Sequence, residues 1–309
     1  MIALPLHVFL ARSFVAMHSG TIAPPMCQPA RPSISRPRKK APPNACDCHI
    51  HIIGPHSRFP LGSNRAYTPP EASIAQYEAV QDILGTERVV VVQASVYGTD
   101  NRCTLAALDH FGPSRSRGVV VIAPSIGDVE LRMMHDAGVR GIRINLVTPG
   151  GPPIAHLTAL ARRIAPFGWH TQVFVNGASL PELAPTLRSL PTDVVIDHLG
   201  HIPCAWGFEH PAFDALRGLL DGGRVWLKAC AYRSSVAGYP FDDVDDIAAR
   251  LVAHAPQRCV WGTDWPHPSF EGTLPDDGEL LDAFMRWAPD PAVQQMVLVD
   301  NPAHLYQFT

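Results

Sequence analysis

The feature that most constrains the fold is an apolar, largely β-branched run that recurs eight times along the 309-residue chain. Such runs are typical of strands covered by helices on both faces, as in all-parallel sheets. The eight runs are Asn44–His51, Arg88–Ser95, Arg117–Ala123, Val139–Asn145, His170–Asn176, Asp193–His198, Arg224–Cys230 and Arg258–Asp264. The segments with helical spacing between them are Ser73–Leu84, Asp128–Ala137, Ile154–Pro166, Pro181–Leu190, Phe213–Leu220 and Asp245–Ala255.

This alternation predicts a closed barrel rather than an open sheet. Strand and helix units repeated with right-handed crossovers close into a (β/α)8 barrel. A doubly wound open sheet is the alternative, but it favours a glycine-rich phosphate turn after the first strand, and no such turn follows His51. The length of residues 44–309 is also close to the roughly 250 residues typical of one such barrel. We therefore predict a single-domain α/β fold, a (β/α)8 TIM barrel, over residues 44–309.

The first 43 residues differ from the rest of the chain. Residues 24–43 are rich in Pro, Ser and Arg and contain little to bury, so we predict a disordered and dispensable leader over residues 1–43. Residues 2–16 are apolar, but no basic segment precedes them and Arg12 interrupts them, which argues against a signal peptide. Met17 and Met26 are alternative candidates for the translation start.

Composition narrows the class of partner. The net charge is −3, and no basic stripe occurs outside Arg36–Lys40, so we expect no nucleic-acid partner. No run is long and apolar enough to span a membrane. The seven cysteines are an odd number without a C-x-x-C pair, which is typical of buried thiols in a reducing compartment. We expect a cytoplasmic enzyme, a monomer or small homo-oligomer, that acts on a small molecule.

The richest motif is Cys46–His51, at the head of the predicted barrel. Because side chains alternate along a strand, we expect Asp47, His49 and His51 on one face. Cys46 and Cys48 then point outward beneath the helices. A lone His-x-His pair is as typical of structural histidines as of a site, so the motif alone does not decide between them.

Other polar side chains stand at the ends of later runs. In a (β/α)8 barrel the carboxyl ends of the strands meet at one mouth, where catalytic groups lie. Such a convergence indicates a functional site. The strand-end candidates are His49, His51, Ser95, Arg143, His198, Arg233 and Asp264, with the turn Gly98–Asn101 following strand two.

Taken together, these segments resemble the amidohydrolase superfamily, in its branch of lactone hydrolases, over about residues 44–308. Order and spacing make the likeness specific. The segments that carry it are Cys48–Pro55, Gln93–Ser95, Gly98–Asn101, Gly138–Asn145, Ile196–Gly200, Trp261–Pro268 and Asn301–Tyr306.

The resemblance implies roles for these residues. His49, His51 and His198 match imidazoles around the scissile carbonyl, and Asp264 matches the carboxylate that accepts the proton of the attacking water. The implied substrate is a small anionic lactone of the 2-pyrone-4,6-dicarboxylate kind. In one departure, Thr148–Gly151 replaces a second arginine after strand four, which leaves the second carboxylate contact open. The residues assigned to substrate binding are Tyr67, Ser95, Thr99, Arg143 and Arg233.

The chemistry of these residue types points the same way. Lactone hydrolysis needs a base for water and donors for the developing oxyanion, which Asp and His provide. Arginine binds carboxylates through two parallel hydrogen bonds, so Arg143 and Arg233 indicate an anionic substrate.

The need for a metal separates the alternatives. Arg143 and Phe174–Asn176 stand where two-metal relatives hold a bridging Lys or Glu and a His, so we predict activity without a cofactor. The alternative is a mononuclear zinc lactonase, acting on a muconolactone or a sugar-acid lactone, or a zinc-dependent decarboxylase. A third hypothesis is a non-enzymatic binding protein. The presence of Asp264 and both strand-one histidines argues against it, because binding alone does not require them. The zinc ligands would be His49, His51, His198 and Asp264.

Overall fold

A computed structural model describes residues 23–308 as a sheet of eight parallel strands in sequential order, surrounded by helices. The predicted (β/α)8 barrel is confirmed. The strands are β1 (Cys46–Ile50), β2 (Arg88–Val92), β3 (Ser116–Val120), β4 (Val139–Asn145), β5 (His170–Phe174), β6 (Val194–Ile196), β7 (Val225–Ala229) and β8 (Cys259–Trp261). The helices are α1 (Ile74–Leu84), α2 (Arg102–Phe111), α3 (Asp128–Asp136), α4 (Leu157–Ile164), α5 (Leu180–Ser189), α6 (Pro211–Asp221), α7 (Asp245–His254), α8 (Asp277–Trp287), α9 (Pro291–Gln295) and α10 (Asn301–Tyr306).

Two apolar layers hold the barrel together. The outer layer lies between the strands and the helices, and the inner layer fills the lumen with side chains such as Val90, Val195 and Trp226. Tyr306, at the end of α10, joins the inner cluster. The ring of Tyr306 also contacts His170, at the start of β5, so α10 covers the end of the barrel where the strands begin. The end of the barrel at which the strands finish is not covered by α10, and a functional site can lie there.

A bulge in β1 corrects the predicted side-chain parity. Asp47 pairs with Val89 but Ile50 pairs with Val91, so β1 contains one extra residue between these pairs. His49 and His51 both lie inside the barrel, as predicted. The prediction for the cysteines was wrong, because Cys46 and Cys48 also face the lumen.

The same bulge turns Asp47 away from the histidines. Its carboxylate accepts hydrogen bonds from Tyr77 of α1 at 3.2 Å and from the Thr263 hydroxyl at 2.7 Å and amide at 3.0 Å. Asp47 therefore ties β1 to the segment after β8. Next to it, the amide of Asp264 donates to the carbonyl of His49 at 2.8 Å, and these bonds join the first strand to the last.

Part of the predicted leader is ordered against the barrel. The Ser35 amide donates to both carboxylate oxygens of Asp276, at 3.0 and 2.9 Å, and the Arg38 amide donates to Asp282 at 2.8 Å. The expected disorder of residues 24–43 was therefore wrong. The composition of the segment did not indicate this, because backbone hydrogen bonds and a few small apolar contacts, such as those of Ile34 and Ala41 with the core, anchor it. Residues 1–22 lie outside the described residues, and the leader remains a prediction there.

Two further observations bear on the sequence predictions. Within residues 23–308, no helix is both long and apolar enough to cross a membrane. All seven cysteines are free thiols, and six of them are buried.

Candidate active site

A small pocket opens at the carboxyl ends of the strands. Most of the residues predicted from the sequence meet here. His49 is fully buried beside Asp264 rather than in the pocket wall. Thr99 is exposed in the turn after β2 and lies outside the pocket, so the structure does not bring it together with the others. The predicted residues that line the pocket are His51, Tyr67, Ser95, Arg143, His198, Arg233 and Asp264.

Asp264 lies at the centre of the imidazole cluster. Its Oδ1 is 3.5 Å from His49 Nε2 and 3.4 Å from His51 Nε2, and its Oδ2 is 3.9 Å from His198 Nε2. Asp264 follows β8 in the left-handed conformation, with φ of 68°, which only a few residue types other than Gly adopt. A left-handed residue at the strand end is a conformation often found at functional sites.

Two donors hold the Asp264 carboxylate on the side away from His51. Tyr232 donates its hydroxyl to Oδ2 at 2.6 Å, and Arg233 donates Nε to the same oxygen at 2.5 Å. Burial raises the pKa of Asp264, but the charge of Arg233 and the neighbouring imidazoles outweigh it and hold the pKa well below its usual range. Asp264 is therefore an anion. Tyr232 was not predicted as a site residue, although it precedes Arg233, because only the fold turns its hydroxyl toward Asp264.

The imidazoles around Asp264 are neutral. Burial lowers the pKa of His198 to about 3 and also lowers the pKa of His51. His51 Nδ1 lies 2.8 Å from the carbonyl oxygen of Val92, which can only accept a hydrogen bond. The single proton of neutral His51 is therefore on Nδ1, and its Nε2 presents a lone pair near Asp264.

A buried network of charges lies behind the histidines. Asp197 accepts hydrogen bonds from Arg143 Nε at 3.2 Å and from Gln172 Nε2 at 3.0 Å. Lys228 Nζ lies 2.8 Å from Gln172 Oε1 and 3.2 Å from His49 Nδ1. Burial lowers the pKa of the Lys228 ammonium, an effect opposed by the charge of Asp197. Lys228 was not predicted as a site residue, although a charged residue in an otherwise apolar strand indicates a buried polar partner.

Arg143 is placed to bind an anion. Its Nε is held by Asp197, and its guanidinium carbon lies 5.3 Å from the centre of the Phe174 ring. Its Nη1 and Nη2 groups have no hydrogen-bond partner among residues 23–308. Ser95 and Tyr67, bonded to each other at 3.1 Å, line the same pocket. The pocket therefore combines a guanidinium with two hydroxyls, a set that suits a carboxylate.

The loop after β4 makes a neutral wall. Asn145 donates to the Thr148 hydroxyl at 2.7 Å, and both residues line the pocket. Gly150 has φ of 122°, and a Cβ there would lie 2.2 Å from the carbonyl oxygen of Ser95, so only glycine allows this close packing. Amide and hydroxyl groups thus stand where the resemblance leads one to expect a second arginine.

The residues fit a metal ion by distance but not by their hydrogen bonds. His49, His198 and Asp264 each offer one ligand atom, and these atoms lie within 4.8 Å of one another. A histidine that binds zinc through one nitrogen usually donates its other N–H to an acceptor. Here Lys228, a donor, faces His49 Nδ1, and Arg233 binds Oδ2 of Asp264 but leaves Oδ1 toward the histidines. His51, whose Nδ1 faces the Val92 carbonyl, has the arrangement of a zinc ligand, and His49 does not.

Comparison with known proteins agrees with this architecture. Residues 46–308 match the amidohydrolase family. The chain belongs to the amidohydrolase family. The resemblance found in the sequence is thereby confirmed.

Several relatives of this amidohydrolase are named for lactone chemistry. A 2-pyrone-4,6-dicarboxylate hydrolase of Comamonas testosteroni is 42% identical, over 88% of this chain and 93% of the relative. A 4-sulfomuconolactone hydrolase of Rhizobium radiobacter is 35% identical, over 91% of this chain and 96% of the relative. A 2-pyrone-4,6-dicarboxylic acid hydrolase candidate of Acinetobacter baumannii, solved with citric acid bound, superposes with a TM-score of 0.75 at 26% identity, over 86% of this chain and 100% of that chain.

Proposed function

We propose that this amidohydrolase opens the ring of a small carboxylated lactone, of the 2-pyrone-4,6-dicarboxylate kind, without a metal. The observation that carries the proposal is one anionic carboxylate, Asp264, among neutral imidazoles in a pocket also lined by Arg143 and Arg233. The relatives named for pyrone and muconolactone hydrolysis support the substrate class.

In the proposed reaction, Asp264 accepts a proton from water while the water oxygen attacks the lactone carbonyl carbon. The imidazole of His198, which lines the pocket, stabilises the charge that develops on the carbonyl oxygen, and the buried imidazole of His49 supports Asp264 from below. The ring C–O bond then breaks, and Asp264 returns the proton to the departing oxygen. The products are a carboxylic acid, which loses its proton to the solvent, and a hydroxyl group on one open chain.

His51 takes a different part from the one that the resemblance implies. Because its Nδ1 proton is held by the Val92 carbonyl, the bare Nε2 is a hydrogen-bond acceptor. It therefore suits orientation of the attacking water better than polarisation of the carbonyl.

The low pKa of Asp264 is also consistent with a role as base. Arg233 is the largest charge that lowers it, and Arg233 lines the pocket. When a substrate carboxylate shares this guanidinium, the charge acting on Asp264 is partly neutralised and its basicity rises. Base strength is then coupled to the presence of an anionic substrate.

A pH-stat screen tests this proposal. Protein purified in the presence of a chelator is assayed with 2-pyrone-4,6-dicarboxylate, muconolactone, a sugar-acid lactone and a neutral lactone. We expect base uptake with the carboxylated lactones, little with the neutral one, and well under one zinc per chain by elemental analysis. If none of the four lactones causes base uptake, lactone hydrolysis is refuted.

The runner-up is a zinc-dependent enzyme of the same family. The proximity of His49, His198 and Asp264 is the observation that favours it. Stoichiometric zinc, with activity lost on removal and restored on return, would support a zinc lactonase. Release of CO2 from an aromatic acid would instead support a decarboxylase.

A further inference from the structure

Lys228 contacts one of the strand-one histidines from inside the barrel. This fully buried residue of β7 has its Nζ 3.2 Å from His49 Nδ1, 2.8 Å from Gln172 Oε1 and 3.5 Å from Asp197 Oδ1. Gln172 donates its Nε2 to Asp197, so the orientation of its amide is fixed with Oε1 toward the lysine. Gln172 Oε1 and the Asp197 carboxylate are acceptors, and an ammonium, which can only donate, directs its remaining N–H at His49 Nδ1.

This contact determines which nitrogen of His49 carries the proton. An Nδ1 that accepts from Lys228 presents its lone pair there, so the proton of the neutral ring is on Nε2, 3.5 Å from Asp264 Oδ1. His51 is in the opposite state. Its Nδ1–H donates to Val92, and its bare Nε2 lies 3.4 Å from the same Asp264 oxygen.

The geometry points to Lys228 as a positioning residue that holds His49 in the Nε2–H tautomer and so keeps the site free of zinc. The two neighbouring imidazoles then present one donor and one acceptor to the reaction centre. The Nε2–H of His49 faces the Asp264 carboxylate, and the bare Nε2 of His51, which lines the pocket, can accept a hydrogen bond from a water. This tautomer assignment stands apart from the lactone chemistry, whereas its effect on turnover rests on the proposed function.

Removal of the ammonium should convert His49 into a metal ligand. Asp197 Oδ1 lies 3.5 Å from His49 Nδ1 and 3.5 Å from Lys228 Nζ, and removal of the ammonium leaves this oxygen to His49. Without Lys228, His49 can donate Nδ1–H to this oxygen and turn a bare Nε2 toward Asp264. A carboxylate behind a metal-binding imidazole is the arrangement found in zinc sites.

Nitrogen NMR of the metal-free wild-type protein, labelled with 15N-histidine, tests the assignment directly. The His49 resonances are identified by their loss in His49→Asn. We expect the proton of His49 on Nε2 and that of His51 on Nδ1, so His51 is an internal control for the opposite tautomer. A protonated His49 Nδ1 would overturn the inference. Because the tautomer is measured on the wild-type protein, the test does not require a Lys228 variant to fold.

Lys228→Met, which keeps an unbranched chain without the donor, tests the cause. We expect the His49 proton to move to Nδ1 and zinc binding, measured by titration calorimetry, to tighten by about 10- to 100-fold, the range over which such supporting groups act. Lys40→Met, at an exposed lysine, is the control and should bind zinc as the wild type does. A folded Lys228→Met with unchanged tautomer and zinc affinity would refute the role.

The two proposals can fail separately. Wild-type protein with the expected tautomers but no lactonase activity would refute the proposed function and leave the role of Lys228 intact. Lactonase activity with a protonated His49 Nδ1 would support the proposed function and refute the role of Lys228.

Discussion

At the scale of single residues, Asp264 provides the sharpest test of the chemistry. Asp264→Asn keeps the shape of the side chain but removes its ability to take a proton. We expect kcat to fall by at least about 100-fold, the usual effect of a lost general base, with little change in KM. Steady-state kinetics by pH-stat provides the measurement. Asp100→Asn, in the turn after β2, is the matched control. Near-normal turnover of the Asp264→Asn variant would exclude Asp264 as the base.

Arg143 is the cleaner of the two arginines for testing substrate charge, since Arg233 also pairs with Asp264. Loss of a charged hydrogen-bond partner costs about 1.5–3 kcal/mol, or about 10- to 150-fold in binding. We therefore expect Arg143→Met to raise KM for a carboxylated lactone by this factor and to leave a neutral lactone nearly unaffected. Equal losses on both substrates would make the role of Arg143 structural. Arg102→Met, at an exposed arginine, serves as the control.

At the scale of elements, the approach of β8 to β1 positions the site. Gly262 follows β8, and a Cβ there would lie 2.7 Å from the amide nitrogen of His49 and 2.8 Å from its Cβ. Gly262→Ala should therefore push His49 from its place and lower the free energy of unfolding by about 1–3 kcal/mol, as overpacking does. Chemical denaturation and kcat are the measurements. Gly127→Ala, where a Cβ would meet nothing within 4 Å, should leave kcat unchanged and cost only the small stability difference between Gly and Ala at the N-cap of α3.

The same elements show what sequence patterns could predict. Apolar runs located every strand because strands buried on both faces have that composition, and strand ends located most site residues because the barrel gathers them. Period-two alternation failed at Cys46 and Cys48, since one extra residue in β1 reverses parity and depends on pairing with β2. Residues whose role depends on contacts between distant strands, such as Asp197 and Lys228, could not be assigned from periodicity.

The scale of the whole molecule adds a dependence on pH. Burial lowers the pKa of both His170 and His198 to about 3, far below the usual value near 6.5. Between these values the unfolded chain binds more protons than the folded one, so stability rises with pH there. The stability contributed by the neutral rings is complete above about pH 6.5. It is lost as the pH falls toward 3, by about 1.4 kcal/mol per pH unit for each histidine.

His170 isolates this effect from catalysis, because it lies beside Tyr306 at the end of the barrel opposite the site. We expect the free energy of unfolding of the wild type, measured by urea denaturation at pH 7, 6 and 5, to fall with decreasing pH. In His170→Leu the fall should be smaller by about 1.4 kcal/mol per pH unit below about pH 6, since one imidazole no longer titrates on unfolding. Tyr306→Phe alters the same contact without removing an imidazole, so it should keep the wild-type slope. Equal slopes in all three proteins would mean that His170 takes up its proton in the folded state as readily as in the unfolded chain.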